Sequence, residues 1–323
     1  MHPLYWRSAI ASIPVEKKIH LFYRSHEQIV EASSEDCKTW TTVSTITDEE
    51  AQEQSALTAF YCEKDTTNGE KPSIHIIYID SRMRLREFVR ALDAPSWKEL
   101  PFPVGTPAPF YTTKLISGAC HDDKGEETRH WLCYSCPTDT RLIELGRSVQ
   151  GEWKEHKGLL TVLDHVMPGS DITTSQEGST THLLYQTSGD RVISLGGDYY
   201  QWTHNIRSNV EAILMRLGLE MNTMVVPTDT IFNTPLASCI DSKGKYYVFF
   251  VKEVEGENYV HAIVDGEQTS VALWTEGSFV GAVLLNDKPV LFMDQVANEE
   301  AHLCAFTNDG SSWSLLGEVT KSS

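Results

Sequence analysis

Apolar and polar positions alternate in short runs along most of the chain, and polar turns rich in Ser, Asp, Glu and Gly separate the runs. The stretch "IHLFYRSHEQIVEASSEDCKTW", Ile19 to Trp40, shows the pattern: an apolar strand, a polar turn, a second strand, then a Trp after a polar loop. It recurs as "IHIIYIDSRMRLREF" from Ile74, "RHWLCYSCPTDTRLIEL" from Arg129 and "THLLYQTSGDRVISL" from Thr181. Weaker copies start at Tyr246 and Pro289. The second positions align as His20, His75, His130, His182, Tyr247 and Val290, at spacings of 55, 55, 52, 65 and 43. A run of small residues precedes each copy, as in "SAIASI", "SALTAF", "KLISGAC" and "PLASCI".

Repeats of this length with three or four short strands each predict an all-β, six-bladed β-propeller, because radial repetition protects the sheet edges. Small residues suit the crowded innermost strand. Trp40, Trp97, Trp153, Trp202 and Trp313 close the units, either wedged between neighbouring blades or stacked on a ligand. One segment breaks the period. In "SNVEAILMRLGLEMNTMVVPTDT" (208–230), Val210, Ile213, Leu214 and Leu217 are spaced like the apolar face of a helix. A short helix or ordered loop over one face of the propeller is expected there. No linker-like stretch divides the chain, so a single domain over 1–323 is expected.

The 45 acidic and 27 basic residues give a net charge of −18, which argues against nucleic acid and anionic membrane surfaces as partners. No apolar run is long enough for a membrane-spanning helix, and the N-terminal residues do not read as a secretory signal. The seven cysteines sit mostly in strand-like runs and read as reduced, buried thiols, so a cytoplasmic location is expected. Cys133 and Cys136 form a lone CxxC without a second pair. No GxSxG, P-loop or GxGxxG after a strand occurs, and no cofactor or metal is expected.

The unit layout, small-residue inner strand, third strand with its Glu, and Trp resemble those of the fungal fucose-specific lectins, six-bladed propellers of the Aleuria type. That resemblance implies a sugar pocket repeated between blades. An Arg on the second strand and a Glu on the third hold the sugar hydroxyls, and an aromatic side chain packs on the sugar's apolar face. The Glu matches Glu31, Glu87 and Glu144; in the last three units the place reads as Ser194, His261 and Cys304. The Arg place reads as His20, His75, His130 and His182, then Tyr247 and Val290, so no unit keeps the pair. Arg presents a permanent planar fork of donors and a neutral His only one, so fucose binding is expected to weaken or vanish. Histidines too widely spaced around a propeller to share one ion argue against a metal site.

Two functions follow. Loss of the sugar pair resembles the branch of this fold recruited as hetero-Diels–Alderases in fungal tropolonic sesquiterpenoid biosynthesis. The resemblance implies a cofactor-independent cycloaddition of a tropolone-derived o-quinone methide with a humulene-type alkene, both small apolar organic partners. His75, His130, His182, Glu87 and Glu144 are the candidate acid–base groups. Tyr5, Trp6, Arg7, Phe110, Tyr111, Lys114, Asp171 and Phe232 precede the inner strands and are candidate substrate contacts at one mouth of the channel. The alternative is a divergent glycan-binding lectin with several weak, equivalent sites. A homodimer is compatible with either.

Overall fold

The computed structural model describes residues 10–25, 28–46, 56–109, 113–121, 127–135, 142–148, 151–155, 171–177, 180–186, 192–198, 230–231, 234–264, 266–297 and 300–319. Tyr5, Trp6, Arg7, Phe110, Tyr111, Trp202, Phe232 and most of the segment expected to insert at 208–230 lie outside them, as does the side chain of His182.

The described residues form six antiparallel sheets, each with its strands in chain order. Blade 1 holds β1 (Ile10–Val15), β2 (Lys18–Ser25), β3 (Gln28–Ser34) and β4 (Thr41–Thr45). Blade 2 holds β5 (Leu57–Asp65), β6 (Lys71–Ile79), β7 (Leu85–Ala91) and β8 (Lys98–Leu100). Blade 3 holds β9 (Ile116–His121), β10 (Glu127–Ser135), β11 (Leu142–Ser148) and β12 (Lys154–Glu155). The described strands of blade 4 are β13 (Ile172–Glu177), β14 (Thr180–Gln186) and β15 (Val192–Asp198). Blade 5 holds β16 (Ala237–Ile240), β17 (Tyr246–Val254), β18 (Glu257–Val264) and β19 (Glu267–Leu273). Blade 6 holds β20 (Val280–Leu285), β21 (Lys288–Ala297), β22 (Glu300–Asn308) and β23 (Trp313–Glu318).

These sheets fall into two compact units, Met1–Ser55 with Asp229–Ser323, and Ala56–Thr228. In the first, innermost strands β1 and β16 both neighbour β20. Small residues are needed there: a Cβ on Gly281 of β20 would come within 3.1 Å of Ile10 Cγ2 on β1. In the second, β5 and β13 both neighbour β9. Middle strands such as β6, with Ile74, Ile76, Ile77, Tyr78 and Ile79 all buried, are apolar on both faces, as strands buried on both sides are.

Core clusters identify which face of a blade meets which neighbour. Ile19, Leu21 and Tyr23 of blade 1 pack with Val290, Phe292, Leu303 and Ala305 of blade 6. Phe249, Val251, Val260 and Ala262 of blade 5 pack with the other face of blade 6, at Leu291, Met293 and Cys304. Ile77, Ile79 and Leu85 of blade 2 pack with Leu132, Tyr134, Ile143 and Leu145 of blade 3. The tryptophans join these contacts. Trp40 meets Phe292 edge-on at 5.8 Å, Trp313 meets Phe249 at 5.3 Å, and Trp153 lies parallel to Phe102 at 5.6 Å. Trp97 instead packs under Arg90 of its own blade, 5.0 Å from the guanidinium carbon.

The cysteines resolved with side chains, Cys37, Cys62, Cys133, Cys239 and Cys304, are buried outside any disulfide. Burial pushes the Cys37 thiol up to about 12 and that of Cys304 to about 11, which makes them packing groups rather than nucleophiles. Among the described residues no helix is long and apolar enough to cross a membrane.

Candidate functional site

Strand register decides which side chains share a face, since a slip of one residue turns a side chain to the other side of the sheet. In blade 1 the residue two past His20, Phe22, pairs with Glu31; in blade 2 the residue two past His75, Ile77, pairs with Glu87. His and Glu therefore share a face, and in both blades they meet. His20 Nδ1 lies 2.8 Å from Glu31 Oε1, and His75 Nδ1 lies 2.9 Å from Glu87 Oε1. Ser44 Oγ donates to the other oxygen of Glu31 at 2.8 Å.

Blade 3 departs from the expected alignment. Two past His130 is Leu132, which pairs with Leu145, whereas Glu144 pairs with Cys133. The residue at the repeated position is therefore Trp131, and His130 points the opposite way, toward blade 2. The same test shifts the assignment in two further blades. Phe249 pairs with Ala262, and Phe292 pairs with Ala305, so alanines occupy the Glu place rather than His261 and Cys304. Blade 4 keeps the expected order, with Leu184 paired to Ser194.

The slip exposes an Arg–Glu pair that sequence alignment missed. Arg129 of β10 and Glu144 of β11 lie on the face of blade 3 turned away from blade 2, with Arg129 Nη2 3.3 Å from Glu144 Oε1. Two glycines make this possible. Trp131 pairs with Gly118 on one side and Gly146 on the other. A Cβ on Gly118 would sit 2.7 Å from Trp131 Cζ2, and one on Gly146 would sit 2.6 Å from Arg129 Cζ. The indole thus leans over one bare strand and the guanidinium lies along the other to reach Glu144.

Turned toward blade 2, His130 joins a buried polar chain. Glu87 accepts from Arg147 of β11 at 2.8 and 2.7 Å, from Trp153 Nε1 at 2.8 Å and from His75 Nδ1 at 2.9 Å, so each oxygen takes two donors. The other nitrogen of His75 meets Asp65 Oδ2 at 3.1 Å. Asp65 also accepts from the Thr67 amide and hydroxyl at 2.9 and 2.6 Å. Arg147 Nε donates to His130 Nδ1 at 3.0 Å. An arginine only donates, so His130 carries its proton on Nε2, which faces Cys62 Sγ at 3.2 Å. Asp65, His75, Glu87 and His130 are fully buried, and Arg147 is 5% exposed.

Burial opposes ionisation throughout this chain, but the charges compensate one another. Desolvation is the largest influence on His75 and pulls its pKa down; hydrogen bonds to Asp65 and Glu87 outweigh it and leave the pKa raised. For Glu87 desolvation raises and the His75 hydrogen bond and the Arg147 charge lower, leaving it depressed; Asp65 is depressed the same way, chiefly by His75. The outcome is two anions and two cations with no net charge.

Cys62, His75 and His130 bring potential ligand atoms within 4.8 Å of one another, so widely spaced repeats do not keep these histidines apart. Their rings are 5.2 Å apart because the two residues occupy different registers. The donor set does not fit an ion. Both nitrogens of His75 face carboxylates, and the Nδ1 lone pair of His130 faces Arg147.

Of the expected substrate contacts, Lys114 and Asp171 are described and meet across blades 3 and 4, with Lys114 Nζ 3.8 Å from Asp171 Oδ2. Both are buried, and desolvation pulls the Lys114 pKa down despite the Asp171 charge.

The fold is that of a six-bladed β-propeller. It is similar to the lectin of Aleuria aurantia, whose structure carries a described fucose recognition mode (16% identity, 98% of this chain and 96% of that one, TM-score 0.68). It is similar also to AofleA of Arthrobotrys oligospora (14%, 97% and 86%, TM-score 0.69) and to the BP39L lectin of Burkholderia pseudomallei (11%, 98% and 86%, TM-score 0.63). No protein-family model and no curated protein sequence matches the chain.

Proposed function

We propose that this protein is a glycan-binding propeller of the lectin type that retains few of its sugar sites, with blade 3 as one that is kept. The carrying observation is the Arg129–Glu144 pair: a second-strand Arg and a third-strand Glu on one sheet face, beside an aromatic ring. Such a pair offers charged donors and acceptors to adjacent hydroxyls. Fucose-type sugars are the first candidates, since the Aleuria aurantia lectin with the same fold is described by its fucose recognition. Blade 2 is a different case. Arg147 and Trp153 already fill the hydrogen-bonding capacity of Glu87. Blades 5 and 6 have alanine at the Glu place.

Titration calorimetry with α-methyl-L-fucoside and a glycan array test this reading. Saturable millimolar or tighter binding, lost in Arg129→Ala, is expected. A chain that binds no sugar, or binds equally well as Arg129→Ala, overturns it.

One observation favours a second reading, the cofactor-independent cycloaddition between a tropolone-derived o-quinone methide and a humulene-type alkene. Lys114 and Asp171 form a buried pair at the entry of neighbouring inner strands, and burial eases proton release from the amine. Such a pair would assist loss of water from a tropolone alcohol. His75, His130 and Glu87 are committed to one another and are not the catalytic groups under this reading. Incubation with a tropolone alcohol and humulene-type alkenes tests it. Product ratios and stereochemistry equal to the protein-free reaction refute it.

A further inference from the structure

The blade 5 hairpin carries a feature that the lectin-type pair does not explain. A cleft of about 300 Å³ opens beside it, lined by Val254, Glu255, Glu257, Tyr259, His261 and Ser270. That volume is at the lower end for small-molecule sites. The cleft lies on the face of β18 opposite Ala262, and Val260 and Ala262 face blade 6. It is therefore distinct from the Glu place of blade 5, which Ala262 occupies.

The lining has a consistent chemistry. Two carboxylates stand at the turn, and among the described residues no basic side chain lines the space. Lys252 pairs with Tyr259 in register but is not among the lining residues. Tyr259 donates its hydroxyl to Glu257 Oε2 at 2.8 Å, which fixes the carboxylate at the edge of the ring. His261, 7% exposed, closes the floor opposite Ser270. Its Nδ1 lies 2.9 Å from the Gln268 side-chain amide nitrogen, which holds the ring in place. Val254 supplies the apolar side of the rim. An aromatic ring with one carboxylate fixed at its edge and a second at the turn recognises a positive charge spread over alkyl groups.

We propose that the blade 5 cleft is a binding site for a small organic ammonium ion, held over the Tyr259 ring with Glu257 and Glu255 as counter-charges. The site is separate from the blade 3 sugar pair and does not depend on it. The acidic surface as a whole, at net charge −18, raises the local concentration of such a ligand.

Choline is the probe, and 3,3-dimethylbutanol is its neutral counterpart of the same shape. Titration of the full chain, followed by calorimetry and tyrosine fluorescence, is expected to show saturable choline binding that weakens with added salt. The neutral alcohol is expected to bind at least tenfold more weakly. Tyr259→Ala and Glu257→Gln are each expected to weaken choline roughly five- to tenfold, with the melting temperature and α-methyl-L-fucoside binding unchanged. Equal binding of the two probes, or choline affinity unaltered in both variants, overturns the proposal. Choline bound only when presented on phosphatidylcholine vesicles overturns it as well, because the ligand is then a membrane headgroup. A wild-type chain that binds choline but no fucoside upholds the cleft and refutes the sugar reading alone.

Discussion

Arg147→Met tests whether charge balance holds blades 2 and 3 together. The substitution keeps much of the side-chain volume but removes the fork at 2.8 and 2.7 Å from Glu87 and the cation 4.7 Å from the Trp153 ring centre. Glu87, fully buried, is left with Trp153 and a His75 already shared with Asp65. Breaking one side of a buried ion pair costs about 3–5 kcal/mol, because the remaining charge stays desolvated. For a unit of this size each kcal/mol moves the melting temperature by roughly 2–4 °C, so a fall of about 6–20 °C is expected. Denaturant unfolding and calorimetry read it. Glu87→Gln combined with Arg147→Met removes one charge of each sign and leaves Asp65 and His75 matched. That double variant is expected to be more stable than Arg147→Met alone, by a coupling of about 1–3 kcal/mol. Arg147→Lys keeps the charge but not the fork and is expected to fall between. A loss below about 1 kcal/mol in Arg147→Met, or strict additivity in the double variant, refutes the reasoning.

Three further outcomes follow from the same geometry. Asp65 and Glu87 have depressed values, so their contribution is complete above about pH 4 and is lost as pH falls through those values. His75 has a raised value, so its contribution is complete below about pH 6.5 and is lost as pH rises through it; in His75→Gln the alkaline decline in unfolding free energy should disappear, and its persistence would remove His75 as the cause. Gly146→Ala should cut fucoside affinity at least tenfold and lower the melting temperature, because the new Cβ displaces Arg129 from the buried Glu144, and Gly146→Ala with Arg129→Ala should bind no more weakly than Arg129→Ala alone. Cys62, fully buried against His130, should resist a thiol reagent in the native state and react only at the rate of unfolding; prompt labelling would contradict the packing.

The strands, turns and sixfold repeat were legible because each unit punctuates two apolar runs with a polar turn at nearly constant spacing. Register was not. In "RHWLCYSC" both faces are covered, so Trp131, Leu132, Cys133 and Tyr134 are all buried and no alternation marks which face is which. A one-residue ambiguity then placed His130 where Trp131 stands and hid Arg129 as a partner for Glu144. Arg147 was overlooked because its partner Glu87 is 60 residues away, on another blade. A signal existed: an Arg stands three residues after the Glu in both units, at Arg90 and Arg147. What they do differs, since Arg90 covers Trp97 of its own blade whereas Arg147 crosses to Glu87. The wedging tryptophans were read as either packing or ligand groups; Trp40 and Trp313 pack against neighbouring blades.

The repeated Glu place holds Glu31, Glu87 and Glu144 in three blades and Ala262 and Ala305 in two others. One backbone position is thus solved three times with charge and twice with a methyl group, inside a single chain. The polar set of blade 1 closes within that blade at His20, Glu31 and Ser44, whereas that of blade 2 draws on Arg147 and Trp153 of blade 3. A substitution at the one place is therefore felt by a single blade, and at the other by two.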